Sequence, residues 1–196
     1  MVNLTKNEGK ALLVLFKELT RYHNANSLSR EIGISRVGTM KILKKLEKDG
    51  LLMKESIGKS IVYRPNLEDD YARDFVSFLL SNEANNFKRW KDEFKGLFKE
   101  DRIVLLYGST IKDYNKSRDI DIMIIKKARN GKDIYRVLSE RQEVLPKKIH
   151  EIVITPEEFL NNIRKKQKAM IDIVKSAVIL YGQRHYVELI KNVASV

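Results

Sequence analysis

LLYGS at residues 105–109 and DIDIMII at residues 119–125 are two apolar runs separated by nine residues. Side chains two positions apart lie on the same face of a strand, so Asp119 and Asp121 are predicted to point the same way. The isoleucines that alternate with them then point the other way, into a core. Two carboxylates that converge at a strand end suit a hard divalent cation such as Mg²⁺. A Gly-Ser turn that leads into a helix offers free N–H groups to a phosphate.

The pattern Gly108-Ser109, then Asp119-x-Asp121, with an apolar strand on each side, resembles the polymerase-beta-like nucleotidyltransferase superfamily, in particular its minimal branch. The resemblance implies a mixed sheet with helices packed on one face. It implies transfer of a nucleoside monophosphate from an NTP, with ATP the expected donor, to an acceptor. It also implies that Gly108 and Ser109 hold the NTP phosphates and that Asp119 and Asp121 hold two Mg²⁺ ions.

The family also uses a third carboxylate on a following strand, and KIHEIVI at residues 148–154 is the apolar run placed to form it. Glu151 is the central acid of this run, so the resemblance makes it the third catalytic and metal-binding carboxylate, although Asp is more frequent there. Two metal ions would stabilise the attacking and leaving oxygens, and Glu151 would help to activate the acceptor. The transferase prediction depends on these three carboxylates meeting beside the Gly-Ser turn. The histidines at 23, 150 and 185 are scattered, without zinc-ligand spacing.

One position departs from the family pattern. Many members have a second glycine four residues after the serine, where this chain has Asp113. The aspartate adds negative charge near the predicted phosphate site. The enzyme prediction therefore has an alternative, in which the domain only senses a nucleotide and is catalytically inactive. A solvated Asp-x-Asp at a strand edge, beside an unrelated turn, is the structural alternative to both.

Charge and composition indicate a polyanionic partner. The 196-residue chain has a net charge of +12, and residues 1–66 have 13 Lys/Arg against 6 Asp/Glu, a net of +7. The remaining residues have 25 against 20, a net of +5, so the basic excess is concentrated at the N-terminus. The sequence contains no Cys, no leader resembling a signal peptide and no apolar run of membrane-spanning length, so we expect a cytoplasmic protein.

The sequence pattern of the N-terminal third predicts three helices followed by a β-hairpin. Apolar periodicity indicates a first helix over residues 6–22. Ser27 is predicted to cap a second helix and Ser35 a third, which runs from Arg36 to Asp49 and stops at Gly50. Residues 51–56 and 60–64 then read as two strands. This order resembles a winged-helix DNA-binding domain.

The phase of the third helix predicts a DNA-binding surface. Thr39, Ile42, Leu43 and Leu46 fall on a core-facing side, and the opposite side is basic. Base contacts are expected near the helix start, phosphate contacts along its lysines, and a further contact from the hairpin. The predicted DNA-binding residues are Arg36, Val37, Thr39, Lys41, Lys44, Lys48 and Lys59. An ordinary solvated face, or a protein-interaction module, is the alternative.

The sequence therefore predicts an α+β protein with a winged-helix domain at 1–66, a helical connector at 67–100 and a nucleotidyltransferase-like domain at 101–196. Aromatic residues recur at helical spacing in the connector, with a break expected near Ser81-Asn82. Those of residues 83–98 are expected in a core, and those of 69–80 in a core or at a homodimer interface. Farther on we expect a turn at Asn130-Gly131 and an apolar helix ending at Tyr181-Gly182. Because minimal nucleotidyltransferases often act as antitoxins that modify a partner protein, the resemblance also implies toxin–antitoxin and transcription regulation.

Overall fold

The computed structural model describes residues 3–127 and 131–194 and is an α+β structure. It divides into two compact units, Met1–Leu79 and Leu80–Val196. Each unit contains its own sheet, a two-stranded one in the first and a four-stranded one in the second. Asn130 of the predicted turn lies outside the described residues.

The N-terminal unit begins with helices α1 (Lys6–Lys17), α2 (Ala25–Ile32) and α3 (Arg36–Lys48). Strands β1 (Leu52–Ile57) and β2 (Ser60–Pro65) follow and pair as an antiparallel hairpin. Gly58 adopts a positive φ of 59° in the turn between them, a conformation that glycine accepts without a steric penalty. The three helices bury leucines at a helical spacing, and the fully buried ones are Leu12, Leu28, Leu43 and Leu46.

Of the two predicted helix caps, Ser35 is confirmed and Ser27 is wrong. The Ser35 hydroxyl accepts a hydrogen bond from the Gly38 N–H (3.1 Å), which confirms it as the cap of α3. Ser27 does not cap α2, because Asn24 does: its side-chain oxygen accepts from the Ser27 N–H (2.9 Å). The Ser27 hydroxyl in turn accepts from the Asn24 N–H (3.0 Å), which completes a capping box.

Helix α1 ends earlier than periodicity predicted, at Lys17 instead of residue 22. Glu18 is already extended, and the chain beyond it reaches β2. There the Tyr63 N–H donates to the His23 carbonyl oxygen (2.9 Å) in an isolated antiparallel bridge. A long-range backbone pairing therefore replaces the last helical turn, which a local apolar pattern cannot anticipate.

A helical stretch leads into the second unit. Helix α4 (Asp70–Ala84) continues through residues 81–82, so the break predicted near them lies farther on, after Ala84. After a 3-10 turn at Asn85–Phe87 comes α5 (Lys88–Phe94). The remaining elements are β3 (Arg102–Tyr107), β4 (Asp119–Lys126), α6 (Lys132–Val144), β5 (Lys148–Ile154), α7 (Pro156–Arg164), α8 (Lys168–Ser176), β6 (Val178–Tyr181) and α9 (Gln183–Ala194).

The four strands of the second unit form a mixed sheet in the order β5-β4-β3-β6. Strands β4 and β5 are parallel, and the other two pairs are antiparallel. Residues 178–181 form the edge strand β6 beside β3, whereas the sequence predicted a helix that ends at Tyr181. A four-residue apolar run fits either state locally, and here strand pairing decides between them.

Apolar side chains cover both faces of this sheet. One face packs Ile120, Ile122 and Ile124 against Trp90 and Phe94, which confirms that the aromatic residues of 83–98 lie in a core. On the other face Met123 and Ile125 of β4 are also buried, and α9 and α7 contact β3 and β4, respectively. The prediction of helices on one face only is therefore wrong.

Among residues 3–127 and 131–194, no helix has both the length and the apolarity needed to cross a bilayer.

Candidate functional site

The Gly-Ser turn lies against the first aspartates of β4. Tyr107, the last residue of β3, pairs with Asp121 across the antiparallel ladder, and Gly108 follows at φ 78° and ψ −156°. A Cβ atom on Gly108 would lie 2.0 Å from Asp121 Oδ2, so only glycine fits this close approach. Ser109 is exposed and begins a 3-10 turn, Ser109–Ile111, where the sequence predicted a helix. The turn and the acidic strand are thus adjacent, as predicted.

Two side chains that the sequence did not single out hold this arrangement. The buried Thr110 hydroxyl donates to the Asp119 carbonyl oxygen (2.7 Å) and joins the turn to the start of β4. Lys147 Nζ donates to the carbonyl oxygens of Tyr114 and Ser117, the latter at 2.6 Å. The same ammonium lies 4.2 Å from the centre of the Tyr114 ring. Lys147 thus fixes the loop that connects the turn to β4.

Asp113 lies in the same loop, where the family pattern has glycine. Its carboxylate accepts from the Asn115 N–H (3.0 Å) and lies 3.4 Å from Lys116 Nζ. Its carboxylate is about two-fifths exposed. The charge of Asp113 is therefore partly balanced within the loop, which reduces the repulsion that the sequence predicted for a phosphate.

Asp119 and Asp121 converge with His150 at one end of the sheet. His150 Nδ1 lies 3.2 Å from Asp119 Oδ2 and 3.8 Å from Asp121 Oδ1. One ligand atom from each of the three residues lies within 4.8 Å of the other two. The side chains are 30%, 20% and 48% exposed in that order, so the cluster is open to solvent. It could hold a metal ion.

Glu151 does not join this cluster, and its assignment as the third carboxylate is wrong. In the parallel register of β4 and β5, Asp121 pairs with His150 and Ile122 pairs with Glu151. Paired side chains of neighbouring strands share a face, so Glu151 lies on the side of Ile122, away from the aspartates. The sequence had no clear signal for this, because both alternating sets of residues in 148–154 mix polar with apolar residues.

The electrostatics of the cluster favour a cation. Burial raises the pKa of Asp121, the charge of Asp119 raises it further, and His150 partly opposes the rise. Burial also raises the pKa of Tyr107 to about 12, with added contributions from Asp121 and Asp119. These shifts report a concentration of negative charge in a partly desolvated place. A bound cation would relieve the repulsion between the two carboxylates.

The predicted DNA-binding residues of α3 lie on the surface, except one. Arg36, Val37, Lys41, Lys44 and Lys48 are exposed, as is Lys59 in the hairpin turn. Thr39 is fully buried and its hydroxyl donates to the Ser35 carbonyl oxygen (3.0 Å). Thr39 therefore cannot contact DNA, and its place on the predicted surface is corrected.

The lysines of α3 fall into two groups with different surroundings. Within residues 3–127 and 131–194, no carboxylate lies within ion-pair distance of Lys41, Lys44 or Lys48. Lys45, by contrast, lies 2.8 Å from Glu8 of α1 and joins the two helices. The exposed lysines at 41, 44 and 48 recur at helical spacing and form one basic stripe.

The aromatic residues that were expected in a core or at a homodimer interface lie on α4. Tyr71 and Phe78 are 48% and 65% exposed, and both contact Phe75 edge to face. Exposed aromatic rings on one helix are compatible with a protein partner. The homodimer stays a prediction.

Comparisons of this chain with models of protein families, with curated proteins and with solved structures found no match. The candidate site therefore stands on its own geometry. That geometry brings together Gly108, Asp119 and Asp121 of the predicted residues, adds His150 and leaves out Glu151.

Proposed function

We propose that this chain is a DNA-binding regulator whose C-terminal unit binds a nucleoside triphosphate together with a divalent metal ion. The observation that carries the proposal is the contact of Gly108 with Asp121 at the site where Asp119 and His150 also converge. This arrangement supports the sensor alternative better than the three-carboxylate transferase, because Glu151 lies on the other face of β4 and β5. The winged-helix and nucleotidyltransferase-like identities of the two units are part of the proposal.

In this proposal different residues of the chain bind the metal ion, contact the phosphates and position the turn. Asp119 and Asp121 hold the metal ion, and the turn at Gly108 and Ser109 lies where the phosphates approach. When bound, the ion neutralises the charge of the triphosphate, which two bare carboxylates would otherwise repel. Thr110 and Lys147 keep the turn and the loop in register with β4 through their hydrogen bonds to backbone carbonyl groups.

The first test is calorimetric binding of ATP in the presence of divalent metal ions. We expect replacement of Asp119 and Asp121 by alanine to abolish metal-dependent ATP binding, because both carboxylates that hold the ion are removed. Glu151→Gln is the matched control, since it neutralises a carboxylate on the other face of the same strands and should change the affinity less than about two-fold. Loss of binding in Glu151→Gln, or full binding in the double variant, contradicts the proposal.

Nucleotidyl transfer to an acceptor, such as a partner protein, is a second candidate function. It is favoured by one observation: an imidazole, a side chain that serves as a general base in many enzymes, faces the two aspartates with its Nδ1 3.2 Å from Asp119 Oδ2. Labelled ATP distinguishes the two functions. Release of pyrophosphate with label on a protein, lost in the double aspartate variant, supports transfer, whereas ATP that is bound but never consumed with any acceptor supports the sensor.

We propose further that the basic stripe of α3 binds the phosphates of double-stranded DNA. The support is the exposure of Lys41, Lys44 and Lys48 on one side of the helix that the winged-helix resemblance places in the major groove. The fully buried leucines of α3 face the opposite way, so one side of the helix packs in the core and the other is exposed to solvent. Val37 is 67% exposed near the helix start, where it could meet a thymine methyl group.

The second test is the salt dependence of DNA binding by the full chain. Changing Lys41, Lys44 and Lys48 together to glutamine should reduce the slope of log K against log salt concentration by about 2–3, since each phosphate contact contributes about 0.9. The matched control replaces Lys165, Lys166 and Lys168, which are exposed in the second unit, and removes the same charge. If both triple variants reduce the slope equally, the stripe has no specific role.

A further inference from the structure

We infer that Asp119, Asp121 and His150 bind one transition-metal dication, of the Zn²⁺ class, in preference to the two Mg²⁺ ions that the family resemblance implies. The inference rests on the proposed function, because it names the ion at that same site. The residues of the site differ from those that the family resemblance implies. The two-Mg²⁺ arrangement requires three carboxylates, and here the third side chain that faces the aspartates is an imidazole.

The donor set decides the class of ion. Mg²⁺ prefers oxygen ligands in a nearly ideal octahedron and gives up water reluctantly, so an imidazole nitrogen contributes little to its binding. Zn²⁺ and its first-row neighbours accept imidazole nitrogen and carboxylate oxygen together. Two carboxylates and one imidazole therefore discriminate in favour of a transition metal, which three carboxylates would do much less.

The distances are compatible with a single ion. Ligand atoms that share one ion, with bonds of about 2.1 Å, lie about 3.0–3.5 Å apart in tetrahedral or octahedral geometry. His150 Nδ1 is already 3.2 Å from Asp119 Oδ2 and 3.8 Å from Asp121 Oδ1. The two aspartate oxygens lie within 4.8 Å of each other, so rotation of these side chains would bring the three atoms to one centre. Three protein ligands also leave coordination positions open, and the partial exposure of the cluster gives a phosphate access to them.

The surrounding chain keeps the ligands in place. Gly108 leaves room for Asp121 only because it lacks a side chain, and Thr110 holds the Asp119 backbone at the start of β4. His150 is set by the parallel pairing of β5 with β4, as the third residue of a seven-residue ladder. An imidazole nitrogen that binds a metal ion is not available as a base, so this role of His150 also argues against the transferase candidate.

The experiment measures Zn²⁺ and Mg²⁺ affinities of the full chain by calorimetry, in the wild type and in His150→Ala and His150→Asp. We expect His150→Ala to weaken Zn²⁺ binding at least about ten-fold and to change Mg²⁺ binding less than about two-fold. His150→Asp adds a third carboxylate to the site and should lower the ratio of Zn²⁺ to Mg²⁺ affinity at least about ten-fold. His185→Ala, which removes another exposed histidine of the same unit, is the matched control and should change neither.

The NMR signals of the His150 ring provide a second measurement that needs no variant for its interpretation. They should shift on addition of one equivalent of Zn²⁺ and not of Mg²⁺. Zn²⁺ affinity that survives His150→Ala, Zn²⁺ affinity that depends on His185, or two Mg²⁺ ions per wild-type chain would each overturn the inference. If one of these occurs while ATP binding is still lost in the Asp119 and Asp121 double variant, only the ion is wrong. If the double variant keeps both ATP and metal binding, the proposed function itself fails.

Discussion

Replacement of Gly108 by alanine is expected to reduce metal-dependent ATP binding about 10–100-fold, because it displaces a side chain that is proposed to bind the metal ion. The added Cβ would lie 2.0 Å from Asp121 Oδ2 and 3.0 Å from Asp121 Cγ, well inside contact distance. The neighbour that must move is a side chain, and it is one of the proposed metal ligands. The φ of 78° and ψ of −156° add backbone strain of about 1–3 kcal/mol, because this region is almost confined to glycine.

A double-mutant cycle tests whether Gly108→Ala acts through Asp121. The free energy of unfolding is measured for Gly108→Ala, Asp121→Ala and the double variant. We expect a coupling of about 0.5–3 kcal/mol, because removing the carboxylate relieves its two closest contacts and leaves the backbone strain and a 3.3 Å contact with the Cβ of residue 121. Additive effects would mean that the glycine is required for its conformation alone. ATP binding by Gly108→Ala near the wild-type level would contradict the predicted role of the close approach.

Replacement of Gly182 by alanine is expected to destabilise the C-terminal unit by about 2–5 kcal/mol, the sum of left-handed backbone strain and a clash in a packed region. Gly182 has a φ of 79° directly after β6. A Cβ there would lie 2.4 Å from the Arg102 carbonyl oxygen and 3.0 Å from Ile103 Cα. Both atoms are backbone atoms of β3, so relief requires the two strands to separate. Denaturant unfolding followed by fluorescence of Trp90, which is buried in the core of this unit, measures the loss.

The matched control for Gly182 is Gly50→Ala. Gly50 has nearly the same φ, 77°, but nothing lies within 4 Å of the position of an added Cβ. Its replacement should therefore cost only the backbone strain, about 1–2 kcal/mol. Denaturant unfolding of this variant is followed by circular dichroism, because Trp90, the single tryptophan of the sequence, lies in the second unit and Gly50 in the first. Equal losses in the two variants would show that contact with β3 adds nothing at Gly182.

Local sequence signals predicted much of the secondary structure, because the interactions that cause them are local. Ser35 caps α3, as its position indicated, and Thr155 caps α7 with a reciprocal bond to Glu158. The apolar phase of α3 also placed Leu43 and Leu46 inside and the basic stripe outside. The predictions were wrong where a segment distant in sequence determines the backbone conformation. Helix α1 stops short because His23 pairs with Tyr63, and residues 178–181 form a strand because β3 lies beside them.

By itself the sequence determined that Asp119 and Asp121 point the same way and lie next to a Gly-Ser turn, since strand alternation and a nine-residue spacer are properties of one short segment. Only the tertiary structure decided which residue of β5 meets them. A shift of one residue in the register of parallel strands would exchange the two faces of β5. The observed register brings His150, and not Glu151, to the aspartates. Register depends on packing between segments about thirty residues apart, and the chemistry of the site follows from it.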